Sequence, residues 1–169
     1  MPKVINLQKL DEVKPSSIYL VLISPEAIPH LALVHKGKYF SLTHKKSIIG
    51  ELFQPYYNFL NRSNRKMIFI EIKGDIVDPA VMFAEYSKAN MDAITCLLPI
   101  KDCLLPESKA EFVYELIPDL YLGGKISGAF HINLEEDLTD LGDFNLSVYP
   151  KKAIFSYIES LNEKYVKRQ

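Results

Sequence analysis

The 169-residue chain predicts an α+β domain with an antiparallel sheet core and helices packed against it. Two observations carry this. Apolar runs of strand length open the chain and enclose a tight hairpin, and these runs then alternate with segments carrying helix-start signals. An opening hairpin is antiparallel by construction, so a wholly parallel doubly wound sheet fits less well. The length suits one domain spanning residues 1–169, since a chain of this size buries roughly two-thirds of its unfolded surface.

The elements follow in order. Ser17 to Ile23 is apolar on both alternating faces, as in a central strand covered on both sides. His30 to Val34 and Lys38 to Leu42 flank His35-Lys36-Gly37, a hairpin connection. Ser47 to Leu60 has apolar residues at a helical period, with Pro55 expected to break or kink that helix. Met67 to Ile72 is a strand. Asp78-Pro79 supplies an N-cap and a first-turn proline for a helix to about Ala89. Ala93 to Leu98 reads as a strand.

Ser108-Lys109-Ala110-Glu111 has the capping-box pattern, which predicts a helix over Glu107–Ile117 that Pro118 keeps short. Ile126 to Leu134 returns as a strand, and Gly128 within it signals a bulge or a close backbone approach. An amphipathic helix follows Pro150, with Ile154, Phe155, Ile158 and Leu161 as its apolar stripe. The expected core is Ile18, Leu20, Leu22, Leu31, Leu33, Phe69, Ile70, Phe112, Val113 and Leu116.

Composition excludes several function classes. With 20 basic and 21 acidic residues there is no overall field to recruit nucleic acid or an anionic membrane. Residues 35–66 are rich in Lys and Arg and residues 107–143 in Asp and Glu, which reads as two solvated faces. No stretch reaches the ~18 apolar residues of a membrane span, and residues 1–9 carry no signal-peptide run, so a cytoplasmic location is expected. Cys96 and Cys103 are too few for a disulfide framework, and no Cys-x-x-Cys pair suggests zinc. Nor is there a phosphate loop, a nucleophile elbow or a His-Glu-x-x-His helix; neither metal nor cofactor is expected.

The chemistry-bearing residues are the early histidines. His30 opens a core strand and His44 follows the return strand. A histidine there, with a cysteine or serine at a helix N-terminus, is what a cysteine hydrolase needs. The helix dipole and the imidazole together lower the thiol pKa, and the thiolate attacks.

Ile28-Pro29-His30-Leu31-Ala32-Leu33-Val34, running on through Gly37-Lys38-Tyr39-Phe40-Ser41, resembles the histidine strand of the circularly permuted NlpC/P60 papain-like proteins, in which histidine precedes cysteine. Lys109-Ala110-Glu111-Phe112-Val113 resembles the nucleophile helix of that family, and Ser147-Val148-Tyr149-Pro150 its C-terminal region. The resemblance implies a papain-like fold and puts Lys109 where the family has its cysteine, so it implies a noncatalytic domain, a pseudoenzyme, that binds a ligand or protein partner in a degenerate cleft. Its pocket would comprise His30, His44, Ser108, Lys109 and Glu111, with the Lys109 ammonium lowering the His30 pKa. The first alternative is an active hydrolase of amides or esters with Cys103 as nucleophile and His30 as base, Ser108 being a more remote nucleophile. The second is an intracellular interaction module unrelated to hydrolases.

Overall fold

The computed structural model describes residues 2–86 and 95–168, with the side chains of the last helix described to Leu161. The elements run β1 (Lys3–Val4), β2 (Gln8–Lys9), β3 (Ile18–Ile23), β4 (His30–His35), β5 (Lys38–Leu42), β6 (Ser47–Leu52), α1 (Phe53–Arg62), β7 (Met67–Ile72), α2 (Pro79–Phe83), α3 (Leu97–Leu104), α4 (Val113–Leu122), β8 (Ile126–Ile132), β9 (Phe144–Asn145) and α5 (Lys151–Arg168). Seven strands form one mixed sheet in the order β2-β8-β7-β3-β4-β5-β6, while β1 pairs with β9 alone. The β2–β8 pair is parallel, which qualifies the expected antiparallel sheet; the other pairs in the large sheet are antiparallel.

The alternation along β3 explains the layering. Leu20 and Leu22 join Leu31, Leu33, Ile68 and Ile70 on one face, beneath α3, α4 and Ile158 of α5. Tyr19 and Val21 join Ala32, Val34 and Phe69 on the other, beneath Phe53 and Leu60 of α1. A strand apolar at every position is thus buried on both sides. Most of the expected core is buried; Ile18 and Phe112 are half-buried. Lys36 and Gly37 both take positive φ (54° and 74°) in a two-residue turn between the paired His35 and Lys38, the conformation that matches strand twist in a hairpin.

Several segments depart from their sequence pattern. Residues 47–52 form edge strand β6 rather than helix: Gly50 at φ 75° lies where the pairing with β5 slips, a bulge between Ile49 and Glu51. Helix α1 therefore begins at Phe53, and Pro55 sits in its first turn, where no N–H is required. Asp78 caps α2 through a hydrogen bond accepted from the Ala80 N–H at 3.0 Å, but α2 ends at Phe83; residues 87–89 of the longer expected helix lie outside those described.

The predicted strand Ala93–Leu98 is corrected at its far end, because Leu97 and Leu98 belong to α3, with Pro99 in the first turn; residues 93 and 94 lie outside those described. Nor does Ser108 cap a helix. Its Oγ accepts from the Ala110 N–H at 3.1 Å and donates to Asp119 at 2.6 Å, so it closes a local turn, and α4 starts only at Val113. Glu115 takes up part of the capping task by accepting from the Glu111 N–H at 3.1 Å. Helix α4 runs on through Pro118 to Leu122, held by the burial of Leu116, Ile117 and Leu120. Tertiary packing outweighs the local cost of the proline there. Gly128 bears out the bulge, since β8 slips against β7 beside it; what comes close there is a side chain rather than a backbone, the Phe130 ring lying 3.3 Å from where a Cβ would stand.

Candidate functional site

At the end of the sheet where β4 begins and β5 stops, a cavity of about 280 Å³ opens between the two layers. His30, His44, Cys96 and Thr43 line it together with apolar side chains that include Leu42, Tyr56, Ile154 and Ile158. Leu42 belongs to one core and Tyr56 packs on the other, so the cavity lies where the two faces of the sheet meet.

Each reactive group arrives by a different route. His30 is the first residue of β4, and its Nε2 lies 2.6 Å from the Ser41 Oγ on the neighbouring strand. The Ser41 hydroxyl donates to the Leu31 carbonyl at 3.2 Å, so the imidazole supplies the proton at Nε2 and keeps the Nδ1 lone pair. Cys96 is the N-cap residue of α3, and its thiol lies against the backbone of Leu31, the residue after His30. A thiol at a helix start beside a histidine strand is therefore present, but it is Cys96 that provides it.

Other expected residues fall elsewhere. Cys103 is buried one α3 heptad further on and does not line this cavity; burial, helped by Asp102 and Asp78, pushes its thiol up to about 12. Lys109 is exposed and precedes α4 rather than sitting in its first turn. Glu111, Phe112 and Val113 at the start of α4 border a smaller cavity with Pro29, Leu31 and Cys96. The α4 N-terminus thus borders the residues on either side of His30, and His30 itself does not line this smaller cavity. Ser108 lines neither cavity. Cys96 was hidden in the sequence by the strand pattern of its neighbours; the proline three residues on was the available signal of a helix start.

The electrostatics of the site hold both groups neutral. Burial, then the neighbouring His44, lowers the His30 pKa from 6.5 to about 4; Lys109 plays no part, contrary to expectation. Burial pushes the Cys96 thiol up to about 11, against hydrogen bonds from the Leu31 and Cys96 backbones. Among the described residues no hydrogen bond joins the Cys96 Sγ to the His30 ring. His30 follows the strand parity of Ala32, whereas the thiol sits at Leu31, on the opposite parity. Nor do the described residues group three His, Cys, Asp or Glu side chains as a metal site would.

The buried His30 makes stability depend on pH. Its folded pKa near 4 lies below the unfolded 6.5, so the unfolded chain binds the proton first as pH falls. The contribution is complete above pH 6.5 and is lost progressively down to pH 4, by roughly 3 kcal/mol in total. Urea midpoints measured between pH 7.5 and 4 should fall accordingly, and His30→Gln should flatten that part of the curve. Equal slopes in the two proteins would show that His30 is not buried as a neutral ring.

Among the described residues no helix is long and apolar enough to cross a membrane. In comparisons with known proteins, no family model, no curated protein and no solved structure matches this chain.

Proposed function

We propose that the chain is a papain-like domain that binds an uncharged ligand in the cavity at His30 and Cys96 and does not catalyse its conversion. The carrying observation is that thiol and imidazole share one apolar cavity yet are both neutral and unjoined. Moving a proton from a thiol near 11 to an imidazole near 4 is uphill by roughly 9–10 kcal/mol. Attraction within a close ion pair returns about 4 kcal/mol at an effective dielectric near 20, so the nucleophilic thiolate is essentially unpopulated in this state. The noncatalytic reading thus rests on Cys96 and its surroundings rather than on Lys109.

A second reading, an amide or ester hydrolase, is favoured by one observation: Cys96 begins a helix beside a histidine oriented by Ser41, with Nδ1 unprotonated. It would need the ring and thiol to come together on substrate binding. Turnover of p-nitrophenyl acetate separates the two. The expected result is a rate in the wild type within twofold of that of Cys96→Ala. Saturable turnover that falls at least a hundredfold in both Cys96→Ala and His30→Ala would overturn the noncatalytic reading in favour of the hydrolase.

A further inference from the structure

The lining of the cavity restricts what it can hold. Among the described residues no Lys, Arg, Asp or Glu lines it, so a carboxylate, phosphate or ammonium entering it would be desolvated without a counter-charge from any of these side chains. Its ionisable members among the described residues are His30, His44, Cys96 and two tyrosines. Burial keeps His30 and Cys96 neutral, so they offer hydrogen bonds and no charge. Leu42, Ile154, Ile158 and Leu161 supply flexible aliphatic walls, the last three from a single helix.

Size restricts the occupant further. A cavity of ~150 Å³ lined by aliphatic side chains admits benzene, so about 280 Å³ has room for roughly ten to twelve carbons. An aliphatic wall with a few hydrogen-bonding groups fits a chain that ends in a small neutral polar head. We infer that the ligand is an unbranched aliphatic chain of about ten carbons with an uncharged head such as an amide or ester, its chain packed between α5 and Leu42 and its head at His30 and Cys96. This deepens the proposed function and rests on it for the absence of turnover, but not for the chemistry of the pocket.

Calorimetric titration of the full chain with primary amides from butanamide to dodecanamide provides the test. Affinity should rise about fourfold per added methylene and level off near ten carbons. Leu42→Trp, which fills the cavity from β5, should weaken decanamide at least tenfold and move the plateau to shorter chains. Ile158→Trp fills it from α5 and gives a second variant should the first not fold. Decanamide should also slow iodoacetamide labelling of Cys96 at least fivefold. Affinity that is flat with chain length, or decanamide binding that leaves Cys96 labelling unchanged, would overturn the inference even where the p-nitrophenyl acetate result upholds a noncatalytic domain. Chain-length-dependent binding together with Cys96-dependent ester turnover would instead keep the aliphatic ligand and remove the noncatalytic reading.

Discussion

Phe69→Ala should destabilise the domain by about 3–5 kcal/mol, read as the shift in urea midpoint at constant slope. Phe69 is fully buried in β7. Its ring meets Tyr19 at 5.7 Å, Tyr57 at 6.0 Å and Phe53 at 6.1 Å, each near edge-to-face. Truncation removes its transfer free energy, opens a cavity and breaks three ring contacts at once. Nearby on α1, Phe59 is 61% exposed, so Phe59→Ala should stay within about 0.5 kcal/mol. On the other face, Leu116→Ala removes a fully buried side chain of α4 and should cost about 2–5 kcal/mol. A loss at Phe69 no greater than that at Phe59 would mean that α1 does not seal this face.

The largest kinetic effect should come from Ile158→Asp. Of the α5 side chains described, Ile158 alone is buried, and the same helix lends four residues to the wall of the cavity. A carboxylate at that position pays a desolvation cost that lifting the helix relieves. With α5 lifted, water reaches Cys96 and its thiol should fall from about 11 toward the ordinary value near 8.5. At neutral pH that raises the thiolate fraction by up to about three hundredfold, and iodoacetamide labelling of Cys96 should accelerate by a similar factor. Cys103, buried within α3, should stay unreactive and serves as the internal reference. An unchanged Cys96 rate in a folded variant would show that α5 does not control access to the cavity.

The strands were legible because each carries its own evidence. Residues 18–23 and 31–34 are continuous apolar runs, residues 67–72 are apolar except at Glu71, and Lys36-Gly37 can scarcely connect two strands in any other way. Helix boundaries were less so. The pattern at Ser47–Leu60 fits a helix over its second half and a half-buried edge strand over its first, and the bulge at Gly50 that separates them depends on pairing with β5. Pro118 looked like a terminator because its penalty is local, while the burial of Leu116, Ile117 and Leu120 that outweighs it belongs to the whole core.

The amino-acid sequence by itself determined that this chain forms an α+β domain, that its central strands are buried on both faces, and that His30 begins a core strand. Those properties reside in periodicity and turn chemistry over a few neighbouring residues. Which residues would meet His30 was decided only in the tertiary structure. Ser41 and His44 come from β5 and the residues that follow it, Cys96 from the start of α3 and Ile158 from α5, and no local pattern records that these separate segments meet around one cavity. The protonation states were settled at the same level, because burial, which keeps the thiol and the imidazole neutral, exists only once those segments have packed.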